Sequence, residues 1–174
     1  MKKLFFCSIL VIAAFLKNHT ILAVNDSTLP SLEAEYGEWK VFTVEQNGQL
    51  VCYTTSNPKD MSGNHKDDRE PYIMVAFFGS IRQEISIITG YFYRPYSIVN
   101  VSIDGKQERF IAESETIAWA EKNGSDKKII QEMLNGFKLL VFAESNAMTY
   151  SVDTYSLSGF KKAYYKIREL CKNK

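Results

Sequence analysis

The chain has 174 residues, 45% hydrophobic and 24% charged, with 21 Lys and Arg against 20 Asp and Glu. That length suits one domain with its own core, and the near-average globular composition excludes collagen, coiled coil and a wholly disordered chain. Residues 1–23 hold three lysines and no acid, which leaves a body of 18 basic and 20 acidic groups, net −2; such a body has no general electrostatic attraction for nucleic acid.

Met1-Lys2-Lys3 is a short basic start, Leu4 to Leu16 is an apolar run of 13 residues, and Ile21-Leu22-Ala23 offers a cleavage site. This order is that of a secretory signal peptide over residues 1–23. The apolar run falls short of the roughly 20 residues a membrane-spanning helix needs, so the expected product is exported, with no stable membrane insertion after cleavage. The rival is an uncleaved anchor, since Ile21 is bulkier than the small residue preferred there. Without Cys7, two cysteines remain, Cys52 and Cys171. An even pair in an exported protein invites a disulfide, here between an early strand and the C-terminal helix; two free buried thiols are the alternative. Neither cysteine lies in a C-x-x-C motif, which speaks against redox catalysis.

Residues 24–36 lack periodicity and read as a flexible leader to a single domain over 37–174. Trp39 to Val44 and Leu50 to Thr55 are β-branched and aromatic, and Gln46-Asn47-Gly48-Gln49 between them predicts a hairpin turn. Asn57 to Glu70 is polar and reads as a solvated loop. Pro71 to Phe78 is an unbroken apolar run suited to a central strand covered on both faces. Alternating stretches follow from Glu84, from Val99 to Ile103 before the turn Asp104-Gly105, and at Arg109–Ala112 and Thr116–Ala120. Ser125-Asp126 is placed to cap a short helix carrying Ile129, Ile130, Met133 and Leu134, which Gly136 is expected to end in a left-handed conformation. Phe137–Phe142 and Met148–Tyr155 return to strand character. Phe160, Ala163, Tyr164, Ile167, Leu170 and Cys171 share one face of a final helix. The whole predicts a mainly β protein, a β-sandwich with one short helix and an amphipathic C-terminal helix.

Catalytic and metal chemistry find little support. His65 is the one histidine after residue 23, and a lone histidine among loop carboxylates lacks the fixed geometry of a metal site. No Gly-x-Ser-x-Gly elbow presents a serine to it. Ser158-Gly-Phe-Lys161 fits Ser-x-x-Lys, but its place at a helix start explains Ser158 more simply. No phosphate-binding glycine loop occurs. The reading is therefore non-enzymatic, with no cofactor. The most suggestive segment for binding is Gly90-Tyr91-Phe92-Tyr93-Arg94-Pro95-Tyr96. Tyr91, Tyr93, Arg94 and Tyr96 are the expected contacts to a protein or glycan, since aromatic and arginine side chains dominate binding surfaces. The competing role for these tyrosines is cross-strand packing. The basic residues of the last helix, Lys161 to Lys174, suit its C-terminal dipole better than a membrane surface.

Taken in order, Trp39-Lys-Val-Phe, Val51-Cys52-Tyr53 with Ser56-x-Pro58, Arg69-x-Pro71-Tyr72, Gly90-Tyr91-Phe-Tyr93, Val101-x-Ile103-Asp104-Gly105, Ala118-Trp119-Ala120, Met133-x-x-Gly136, Asp153-Thr-Tyr-Ser-Leu-x-Gly159-Phe160 and Cys171 resemble the invasion-associated locus B family. The resemblance implies an immunoglobulin-like β-sandwich, a bacterial protein in the periplasm or at the cell surface, and an association with host-cell invasion. It maps the family's cysteine pair to Cys52 and Cys171 and carries over no catalytic residue. The expected partner is a host or envelope protein or glycan, and the alternative role is that of a periplasmic envelope or assembly factor acting on invasion indirectly.

Overall fold

The computed structural model describes residues 29–65, 68–79, 82–122 and 124–172; the expected signal peptide and the first part of the leader lie outside them. Eleven strands and two helices follow in chain order: β1 (Ser31–Tyr36), β2 (Trp39–Gln46), β3 (Gln49–Ser56), β4 (Asp60–Gly63), β5 (Tyr72–Phe78), β6 (Arg82–Ile88), β7 (Ile98–Ile103), β8 (Lys106–Ile111), β9 (Ala118–Ala120), α1 (Asp126–Asn135), β10 (Lys138–Glu144), β11 (Tyr150–Ser156) and α2 (Phe160–Lys172). All strands join one antiparallel sheet in the order β1-β2-β3-β5-β6-β9-β8-β7-β10-β11-β4. The three-residue β9 links two halves, so the sheet is sandwich-like and the mainly β expectation holds.

Local chemistry explains the turns. Asn47 and Gly48 have φ of 53° and 75°, and Asp104 and Gly105 have 48° and 93°; these pairs supply the left-handed backbone that two-residue hairpins need. Alternation then decides the faces. In the first half, Trp39 and Val41 on β2, Cys52 on β3, Ile73, Val75 and Phe77 on β5, and Ile85 and Ile87 on β6 all point into the core. In the second, Val99, Val101 and Ile103 align with Phe110, Leu139, Val141 and Tyr155. β5 lies between β3 and β6, with Ala76 buried on its opposite face and Tyr72, Met74 and Phe78 half-buried there. α2 packs across β1, β2, β3 and β5 through Phe160, Ala163, Tyr164 and Ile167, and α1 packs on β6 and α2. The Cys52–Cys171 disulfide joins β3 to the last turn of α2.

Several local expectations are corrected. Residues 31–36, read as leader, form β1, because β2 offers an unpaired edge and Ala34 and Tyr36 turn toward the core. Residues 60–63, read as solvated loop, form β4 on the edge of β11; all four are exposed, so backbone pairing, with the Ser62 hydroxyl donating to the Val152 carbonyl at 3.2 Å, makes this strand. Ser125 precedes α1 but makes no capping bond: its hydroxyl donates to the Lys122 carbonyl, while Asp126 accepts from the Ile85 N–H. Gly136 ends α1 in extended backbone, φ −92° and ψ 169°. Its glycine is explained by crowding, since a Cβ there would lie 2.9 Å from Leu157 Cδ1 and 3.0 Å from Asp104 Oδ2.

Close approach also fixes the entry to α2. Gly159 has φ of 91°, and a Cβ on it would lie 2.0 Å from the Tyr36 carbonyl oxygen. The β1–β2 turn thus rests directly on the β11–α2 junction. Gly159→Ala combines a backbone clash with left-handed strain and is expected to lower stability by about 2 kcal/mol or more, measured by thermal unfolding. An unchanged Tm would show that the turn moves aside freely.

Candidate functional aromatic face

The chain leaves β6 through Gly90, φ 78°, which passes so close to the 69–70 backbone that a Cβ would lie 2.7 Å from the Glu70 nitrogen. From there alternation sends Tyr91 and Tyr93 inward and Phe92 and Arg94 outward. Tyr93 is 1% exposed and donates to the Ile87 carbonyl at 3.2 Å; the Tyr91 hydroxyl meets Ser151 Oγ at 2.9 Å. Beside them Arg69 forms a bidentate pair with the fully buried Asp153, one bond running from Nη1 to Oδ2 at 2.7 Å and the other from Nη2 to Oδ1. Arg69 also donates to the Thr89 carbonyl at 3.1 Å, and its guanidinium stands 5.9 Å from the Tyr91 ring. His65 packs on Tyr91 at 4.3 Å and bonds Thr149 Oγ1, so it is held in place, which corrects its reading as part of a solvated loop.

Burial is the main reason the phenols of Tyr91, Tyr93 and Tyr155 are pushed above their ordinary range, since a phenolate would lose its hydration; for Tyr155 the Asp153 charge adds to it. The Arg69 guanidinium is raised by its bonds to Asp153. Tyr91 and Tyr93 are therefore core residues that bind the two halves of the sheet together, and their expected role as partner contacts is corrected: neither ring is open to a partner.

Arg94 and Tyr96 stand differently. The Ser97 N–H closes a four-residue turn onto the Arg94 carbonyl at 3.0 Å, with Pro95 second and Tyr96 third. Tyr96 has φ of 58° and is 77% exposed, in the place where a type II turn ordinarily uses glycine. A second turn lies beside it. In the five-residue connection between β10 and β11, Ser145 and Thr149 flank a three-residue tip whose last member, Met148, has φ of 60° and is 87% exposed. The bridge Tyr93–Ser145 and the bond from the Asn146 N–H to the Phe92 carbonyl at 2.9 Å bring the two turns together. Phe92, 56% exposed, and the outward residues Ile98, Phe142 and Tyr150 extend this face, with the Phe142 and Tyr150 rings 6.0 Å apart.

These six side chains expose about 700 Å² together if each spans the area usual for a large apolar residue. That area is spread over the two turns and the outward side of β7, β10 and β11, and exposed apolar surface gathered at one end of a fold is a mark of interaction sites. The sequence marks the three tyrosines and Arg94 of this segment but not Phe92; period-two alternation is the signal that assigns Tyr91 and Tyr93 inward and Phe92 outward. The same alternation sets Ile98, Phe142 and Tyr150 outward on their strands, whereas Met148, in a turn, carries no such local signal.

Two concave regions flank α1, and their polar groups are paired in part, the buried Glu132 Oε2 having no partner among the described residues. In a cleft of about 730 Å³ between β6, β9 and α1, the Trp119 indole donates to Glu84 at 2.9 Å, Arg82 bonds Glu84 at 2.8 Å, and Asp126 is held by the β6 backbone. In a second of about 640 Å³ beside α1, Asp104 accepts from the Phe137 and Lys138 N–H groups. Among the described residues, no three His, Cys, Asp or Glu side chains are grouped as a metal would need, and no helix is long and apolar enough to cross a membrane.

The sequence matches no protein-family model and no curated protein. Its structure is similar to the crystal structure of invasion associated protein b from Bartonella henselae, with a TM-score of 0.56 and 14% identity over 80% of this chain and 98% of that one. At that identity the likeness establishes a shared fold.

Proposed function

We propose that this chain is an exported, non-enzymatic bacterial protein associated with host-cell invasion, and that it acts by binding a protein or glycan through the aromatic end of its sheet. The observation that carries the binding reading is the placing of three large exposed side chains, Phe92, Tyr96 and Met148, on or beside two turns that backbone bonds tie together. The signal-like first 23 residues support export, and the Cys52–Cys171 bridge fits an oxidising compartment. The invasion reading rests on the ordered motif resemblance and on the fold shared with the Bartonella protein.

A strain lacking the gene tests this when complemented with the wild-type chain or with Phe92→Ser/Tyr96→Ser. The wild type is expected to restore entry into host cells, and the variant, exported to the same level, to restore less than a tenth of it. Equal restoration by both would remove the aromatic end from the function. Protease added to intact cells is expected to digest the protein and spare a periplasmic control. Survival of both would place its action in the periplasm, as an envelope or assembly factor.

A further inference from the structure

Among the described residues four non-glycine residues have positive φ, and they divide by chemistry. Asn47 and Asp104 open the two-residue hairpin turns, where short polar side chains tolerate left-handed backbone. Tyr96 and Met148 are bulky, and for such residues this conformation is an outlier that sets Cβ against the following carbonyl. Both are also nearly fully exposed, so no core packing calls for their side chains. Glycine would satisfy either turn with less strain. What distinguishes tyrosine and methionine from glycine there is what they present outward.

We propose that Tyr96 and Met148, flanked by Phe92, are the anchors of a docking surface for another protein, whose complementary feature is an apolar pocket bordered by lysine and arginine. The proposal rests on the reading that this end of the sheet binds a partner, and it names the partner's chemistry. Aromatic residues, methionine and arginine are the types concentrated at the centres of protein interfaces, and the exposed area of about 700 Å² approaches the roughly 800 Å² that each side of a standard interface buries.

Charge selects among occupants. The Ala112 carbonyl accepts from the Tyr96 N–H, the Glu115 carbonyl accepts from the Tyr93 N–H, and Glu144 lies opposite Tyr150 in the β10–β11 register. The segments bordering the two turns thus carry exposed Glu113, Glu115 and Glu144 against Arg94, a net charge of −2 among the described residues. A second copy would set these acids against their equivalents, and an anionic membrane would repel them. A basic protein surface would be attracted.

Panning a phage-displayed library of random linear peptides on the purified protein tests this. The expected peptides combine aromatic or aliphatic residues with Lys or Arg, and Tyr96→Gly/Met148→Gly weakens them at least tenfold while Tm stays equal or rises. Neutralising the rim, Glu113→Gln/Glu115→Gln/Glu144→Gln, is expected to weaken them and to flatten the salt dependence. Selected peptides that require Tyr96 and Met148 but contain no basic residue would overturn the basic partner and leave the binding end standing. Peptides indifferent to Tyr96 and Met148, or no binders at all, would remove the surface itself. Co-sedimentation with phosphatidylglycerol vesicles, or a concentration-dependent dimer, lost in the glycine variant would overturn the proposal in favour of lipid or self-association.

Discussion

Arg69→Met is expected to destabilise the protein by about 3–5 kcal/mol, a large share of the 5–15 kcal/mol available to a domain. The reason is the carboxylate left behind. Asp153 is fully buried on β11, and both of its oxygens are held by the Arg69 guanidinium. Removing that guanidinium strands a charge away from water, and it also frees the Thr89 carbonyl at the end of β6. Arg69 precedes β5 and Asp153 lies on β11, so the pair fastens one half of the sheet to the other. The double variant Arg69→Met/Asp153→Leu is expected to recover most of the loss, because the attraction within a buried pair is largely offset by desolvation. Urea unfolding of both singles and the double gives the coupling directly. A loss below about 1 kcal/mol in the single variant would show that water reaches Asp153 once the arginine is gone.

The second large effect is removal of the disulfide. Cys52 and Cys171 are 119 residues apart, and opening a loop of that length releases about 5 kcal/mol of unfolded-state restriction in the chain-entropy account, with measured values commonly about 2–5. Cys52→Ala/Cys171→Ala is expected to lower Tm by about 10 °C. α2 is held independently by Trp39 against Phe160 at 4.6 Å, Phe77 against Tyr164 at 5.7 Å, and the Tyr164 hydroxyl on Gln83. The native near-ultraviolet circular dichroism of the variant should therefore match the wild type below its transition. A helix that detaches while the sheet stays folded would show instead that the bridge acts on the native state.

What was legible in the sequence was local. Asn47-Gly48 and Asp104-Gly105 announce their hairpins because the turn chemistry sits in adjacent residues, and the apolar face of α2 announces itself through helical spacing. β1 escaped notice because a bulge between Leu32 and Ala34 breaks its alternation and Glu33 and Glu35 make it look like a polar leader. β4 has no inward face at all; its reason lies in β11, some ninety residues later. The same distance hid the Arg69–Asp153 pair. At the candidate site the sequence marked the right segment, yet Tyr91 and Tyr93 belong to the core. Tyr96 stands out through its backbone angle, and Met148 joins it only because a bridge at Ser145 folds one turn against the other.

The most direct test of the binding account is the attachment of purified, fluorescently labelled protein to host cells, compared between wild type and Tyr96→Gly/Met148→Gly. The account predicts saturable attachment by the wild type and at least a tenfold weaker signal from the variant, whose fold is intact and whose two turns are relieved of strain. Equal attachment by both proteins would contradict it.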